Sequence, residues 1–307
     1  MKLKISFLFL ITCLSSFSQE ETFTESNVNI NIHVDGTLLV PVEVRKPNLV
    51  IIIPGSGPTN RDGNQNFIKN NSLKKLAEGL TNNGIATFRY DKRVVKQIRD
   101  GNVDENTMFD DFVTDAKTVL EYFKSKKEFK RIYMLGHSQG SLVGMLAAKE
   151  QADGFISIAG LGKTVDLVIT EQISNTAPMF IEDTKKVFKS LKEGITTEDY
   201  PPALASLFKM ELQPFIMNWM QYDPKAIIKD LKIPVLIING TKDIQVPVNY
   251  ASLLKEGNPS SELVIIEKMN HVLVPIEGDN LENTKAYNEP HRELSKELVP
   301  AIISFIK

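Results

Sequence analysis

The chain has 307 residues, 42% of them hydrophobic and 24% charged, with a formal net charge of −2. This is ordinary globular composition, enough for one large domain or two small ones. No large block of like charge is present, which excludes a general role in binding nucleic acid or a charged membrane surface; the one modest basic run, KSKKEFKR at 124–131, reads as the end of an exposed helix.

The first residues, MKLKISFLFLITCLSSFSQEE, carry two lysines, a short apolar run and then small polar residues. That is the layout of a secretory signal, placed here at 1–18, and it implies export to the periplasm or the medium. The apolar run is too short for a membrane span, which needs about 20 residues, so no stable membrane insertion is expected once the signal is cleaved. The only cysteine, Cys13, lies within this segment, and the mature chain then has neither a disulfide nor a thiolate metal site. The alternative is a lipoprotein signal around LITC, in which Cys13 is lipidated and retained.

NVNINIHV (27–34) alternates and TLLVPVEV (37–44) is apolar and β-branched, with Asp35-Gly36 between them as a hairpin turn. NLVIII (48–53) is a strand covered on both faces. A helix follows, ending at Gly84, then the strand IATFRY (85–90) and a helix over about 105–125 with apolar residues at helical spacing. RIYMLG (131–136), SLVGMLAAKE and GFISIAG (154–160) continue the rhythm of strand, helix, strand. Residues 163–229 hold helical patterns rich in Met, Phe and Leu and no convincing strand. The rhythm resumes with IPVLIING (233–240), a helix near 247–257, ELVIIEK (262–268) and a final helix over 291–306. The spacing predicts an α/β fold: a mostly parallel sheet with helices on both faces, its core formed by 19–162 and 230–307, and a helical cap insertion at 163–229 over the carboxyl edge where such sheets bind ligands.

Two glycine-rich stretches stand at strand ends. PGSGPTNRDG (54–63) lacks the Gly-Lys-Ser/Thr of a P-loop and the third glycine of a dinucleotide fingerprint, so a phosphate site is not expected. GHSQG (136–140) places Ser138 at a strand-to-helix turn, with glycines where a strained turn needs neighbours without bulk. A serine needs a base. Of the four histidines, His33 precedes the core sheet, His137 adjoins Ser138 so that its side chain should diverge, and His291 opens the last predicted helix. His271, just past ELVIIEK, is the one placed to reach Ser138. Asp243, just past VLIING, is the first choice for the carboxylate behind it, ahead of Asp279 and Asp223, with helix capping as its other reading.

These pieces, with RYDKR (89–93), GTKDIQVP and NHVLVP, resemble the α/β-hydrolase superfamily and within it bacterial serine esterases and lipase-like enzymes. The resemblance implies an oxyanion hole from the main-chain N–H of Gln139 and of Ser56, with Gly57 second, and acyl transfer through Ser138, His271 and Asp243. It implies a small-molecule ester or acyl substrate, no metal and no organic cofactor. An acyl pocket is expected from the insertion, with Phe180, Phe215, Met217 and Trp219 as candidates. Arg61 and Asp62 are read either as an ion pair bracing the glycine loop or as substrate-binding residues. The family usually has glycine after RYDKR, whereas Val94, Val95 and Lys96 stand here and leave the path of that loop open. Alternatives remain: an aminopeptidase using Glu171, Glu182 or Asp183 to hold the substrate amine, a thioesterase, or a binding protein that keeps the fold without catalysis. No feature fixes the oligomeric state.

Overall fold

The structure, a computed structural model, describes residues 22–149 and 151–307. The expected signal at 1–18 and Cys13 lie outside the described residues. Among the described residues no helix is long and apolar enough to cross a membrane.

Five apolar residues in a row, Leu49–Ile53, form β3, and every one is buried. Alternate side chains go to opposite sides, as the pleat requires. Leu49, Ile51 and Ile53 join one core cluster, while Val50 and Ile52 join another. Around β3 stand β1 (Phe23–Asn29), β2 (Asp35–Pro41), β4 (Ala86–Tyr90), β5 (Ile132–His137), β6 (Gly154–Ile158), β7 (Val235–Gly240) and β8 (Glu262–Ile266). The sheet order is β1-β2-β4-β3-β5-β6-β7-β8; β2 runs antiparallel to both its neighbours and every other pairing is parallel. The chain leaves β3 toward β4 on one side and returns to β5 on the other. The carboxyl ends of β3 and β5 therefore form the switch point, where connections diverge and leave a crevice.

Helices α1 (Ser72–Thr81), α2 (Arg93–Arg99), α3 (Phe109–Lys126) and α4 (Gln139–Ala148) precede β6. Between β6 and β7 run α5 (Val165–Thr176), α6 (Ile181–Lys192), α7 (Ala205–Phe208), α8 (Gln213–Met220) and α9 (Pro224–Lys229). Then come α10 (Val248–Gly257), α11 (Asn280–Ala286) and α12 (Leu298–Ile306). Leu73, Leu76 and Leu80 of α1 and Leu298, Ile302 and Ile306 of α12 cover one face of the sheet; apolar residues of α3, α4 and α10 cover the other. Within α5–α8 a separate small core gathers Val187, Phe188, Leu191, Leu204, Phe208 and Ile216.

Two local expectations are corrected, the place of the first turn and the start of the last helix, and the path after RYDKR is defined. The hairpin turn is at 30–34 rather than at Asp35-Gly36, because Asn31 Oδ1 accepts the N–H groups of His33 and Val34 and closes the turn with its own side chain. Gly36 is instead a strand residue: a Cβ there would lie 2.4 Å from the Phe88 ring. After RYDKR the chain forms α2, since Val94 and Val95 offer no glycine to turn on. The last helix begins at Leu298, and His291 is exposed in a turn before it.

Candidate active site

Ser138 joins β5 to α4 with φ 55° and ψ −122°, a strained conformation for a residue that carries a Cβ. The neighbouring glycines make it possible. A Cβ on Gly136 would sit 2.1 Å from the Gly140 carbonyl oxygen, and one on Gly140 would sit 2.4 Å from that of Ile53. Helix α4 thus starts hard against the end of β3, and Ser138 stands at the crevice with its N–H bonded to Ile158 O at 2.9 Å.

Asp243 and His271 come from the loops after β7 and β8. His271 Nδ1 donates to Asp243 Oδ2 at 2.8 Å, with both side chains buried. Asp243 Oδ1 accepts the N–H groups of Gln245 at 2.9 Å and Val246 at 2.8 Å, so the carboxylate is held by its own turn. With Nδ1 protonated, Nε2 keeps a lone pair free for a proton. The capping reading belongs to the other two aspartates: Asp279 caps α11 and Asp223 caps α9. Asn270, almost wholly buried, accepts the N–H groups of Val272 and Val274 and donates to Asn283, which donates in turn to Lys242 O. This chain of amides ties the His271 loop to the Asp243 loop.

Ser138 and His271 line one cavity of about 100 Å3, together with Gly55, Ser56, His137, Gln245 and Tyr287. Among the described residues no hydrogen bond links Ser138 to His271; such contacts are often long in a free site and tighten with substrate. Ser56 lines the cavity, Gly57 does not, and a Cβ on Gly55 would lie 3.2 Å from Ser138 Cβ. Gln139 follows Ser138 as the first residue of α4, where a main-chain N–H has no partner within its helix.

The cavity receives no residue of 163–229. Phe180, Phe215 and Met217 pack against the small core of α5–α8, and Trp219 stacks on Phe109 at 5.6 Å, their planes 1° apart. The four expected pocket residues therefore fill helix–helix contacts instead. None of the acids considered as an amine anchor lines the cavity either: Glu171 bonds Lys163 and Tyr250, and Glu182 pairs with Lys185. Arg61 pairs with Asp35 and Asp91 rather than Asp62, which pairs with Arg89 at 3.0 Å. Arg93 holds Asp111 and Asp115.

Two buried cationic or ionisable groups escape sequence reasoning. His137 does not diverge from the site: its Nε2 donates to His271 O at 2.9 Å and its ring centroid lies 4.8 Å from that of His271. Burial, and then the neighbouring His271, pushes its pKa down to about 3, so it stays neutral. Lys92 Nζ donates to Gly55 O at 3.1 Å and to Gln139 Oε1 at 2.7 Å. Burial lowers its pKa to about 7. Both contacts run to residues far away in sequence, which leaves no local signal.

A family model described as "Serine aminopeptidase, S33" matches residues 70–200. The chain is 27% identical over 274 residues to Esterase EstD of Thermotoga maritima, a match covering 86% of this chain and 64% of that one. It thus spans less than two thirds of the relative's length. Among solved structures, Est1E from Butyrivibrio proteoclasticus superposes with a TM-score of 0.60 at 18% identity, covering 92% of this chain and 98% of that one. The α/β hydrolase GrgF from Penicillium sp. sh18 gives 0.57 at 16% identity, covering 93% and 98%. Sheet order and the structural likenesses agree on the fold: the chain has an α/β-hydrolase fold and is similar to esterases.

Proposed function

We propose that the protein hydrolyses carboxylic esters through an acyl-enzyme on Ser138. The observation that carries this reading is a strained serine at the switch point, sharing a cavity with a histidine whose Nδ1 is bonded to a buried aspartate. In the proposed reaction His271 Nε2 takes the Ser138 proton as Oγ attacks the ester carbonyl. The main-chain N–H groups of Ser56 and Gln139 hold the oxyanion, and His271 then protonates the leaving alcohol. Water repeats the route on the acyl-enzyme. The protein is proposed to act after export, with the mature chain starting near Gln19.

The test compares wild type with Ser138→Ala on p-nitrophenyl acetate, butyrate and octanoate. Turnover lost in the variant, with a fluorophosphonate labelling Ser138 only in wild type, is the expected result; an inert wild type whose Ser138 resists labelling overturns it. The match of 70–200 to serine aminopeptidases favours peptide-bond cleavage as a second reading. Aminoacyl p-nitroanilides in the same assay separate the two. The lack of an acid on the cavity wall supports the ester.

A further inference from the structure

Lys92 is a buried lysine with no carboxylate within ion-pair distance among the described residues. Its ammonium lies 4.2 Å from the centre of the Phe112 ring. Beside it is a small space of about 10 Å3, room for about one water molecule, lined by Tyr90, Phe112, Asp115 and Gln139. Burying an amine or ammonium in such a place without partners is costly, so what it touches matters. It touches two acceptors from different parts of the chain, Gly55 O and Gln139 Oε1.

The Gly55 carbonyl and the Ser56 N–H belong to one peptide plane, and no cis peptide occurs among the described residues. In a trans plane the two groups point in opposite directions. The Lys92 Nζ–H donated to Gly55 O therefore fixes the direction of the Ser56 N–H and, by polarising the peptide, strengthens it as a donor. The second acceptor is the side chain of Gln139, whose own N–H opens α4 beside Ser138. Lys92 thus bonds one oxyanion-donor peptide, Gly55–Ser56, directly and holds the residue that carries the other, Gln139, by its side chain.

We propose that Lys92 is a positioning residue that sets the oxyanion hole from behind, clamping the Gly55–Ser56 peptide and Gln139 in one geometry. The proposal rests on the serine-hydrolase reading. Lys92 lies outside the reaction cavity and touches neither substrate nor reacting atoms. Its effect falls on the transition state, where the oxyanion forms, and not on substrate binding.

The experiment measures kcat and KM on p-nitrophenyl acetate for wild type, Ser138→Ala, Lys92→Met and Lys92→Arg, with inhibition by a trifluoromethyl ketone whose adduct carries an oxyanion. Folded Lys92→Met should lose about 10–100-fold in kcat, somewhat less than outright loss of a donor, with KM within about twofold. Affinity for the ketone should fall by the same factor as kcat. Lys92→Arg, which still donates to both acceptors, should recover part of the loss. A folded Lys92→Met with wild-type kcat, or a loss confined to KM, overturns the proposal. If Lys92→Met does not fold, Lys92→Gln takes its place: it cannot span both acceptors, and wild-type kcat there overturns the proposal equally. An inert wild type with unlabelled Ser138 overturns the hydrolase reading and the role of Lys92 with it, a pattern distinct from equal activity in wild type and variant.

Discussion

His271 Nδ1 donates to Asp243 Oδ2 at 2.8 Å, while the other oxygen of Asp243 is held by two N–H groups of its own turn. The aspartate is thus held by one oxygen independently of the histidine on the other. Asp243→Asn keeps an oxygen for the turn but offers His271 an amide, which favours the wrong tautomer. We expect kcat on p-nitrophenyl acetate to fall by about 10³–10⁴-fold while circular dichroism and Tm stay close to wild type. A variant within tenfold of wild type at unchanged Tm would remove Asp243 from the mechanism.

His137 gives a pH prediction. Its pKa falls from an ordinary 6.5 to about 3 on folding, so between those values the unfolded chain binds more protons than the folded one. Stability on this account is fully present above 6.5 and is lost progressively as pH falls toward 3, by about 4 kcal/mol at the end. Chemical denaturation between pH 7 and pH 4 should show a shallower loss in His137→Gln than in wild type. Equal slopes would mean that His137 titrates normally.

Asp91 accepts from Arg61 twice, from the main-chain N–H at 2.8 Å and from Nη2 at 2.7 Å. Arg61 reaches on to Asp35 and Thr37. Asp91→Ala leaves the guanidinium half-paired, and the glycine loop loses an anchor. Breaking such a pair costs about 3 kcal/mol, to be read from urea midpoints; a cost below about 0.5 kcal/mol would put this network among surface pairs of little worth.

The cavity at Ser138 is about 100 Å3, well below the roughly 300–1,000 Å3 of sites that enclose drug-sized ligands. Acetate and butyrate esters should therefore turn over faster than octanoate, by about tenfold or more in kcat/KM. A preference for octanoate would require a different acyl-binding space from the one described.

The parts of the molecule legible in the sequence are those where one physical signal decides. LVIII can only be a doubly covered strand, and GHSQG between an apolar strand and an apolar helix forces a turn. Because Ser138, Asp243 and His271 each follow a strand, a parallel sheet brings their loops to one edge. Competing signals explain the misses. Asp35-Gly36 has the composition of a hairpin turn, yet Asn31 closes the turn and Gly36 is glycine because Phe88 lies on it. Phe180, Phe215, Met217 and Trp219 read alike as pocket or as helix packing, and only tertiary neighbours separate the two. Lys92 reads as one charge in a charged pentapeptide, because its partners are 37 and 47 residues away.

Asp35, which receives Arg61, opens β2, the antiparallel strand between the edge strand β1 and β4. Without that ribbon the loop at the end of β3 would keep its anchors at β4, Asp91 and Arg89, but would lose Asp35 and Thr37 as the second support for Arg61. A chain shortened past Asp35 should fold around its remaining strands and still lose its chemistry. Trimming at this edge is thus limited by the stiffness of a loop on the neighbouring strand, and an engineer seeking a minimal scaffold should count the first ribbon as part of the active site's foundation.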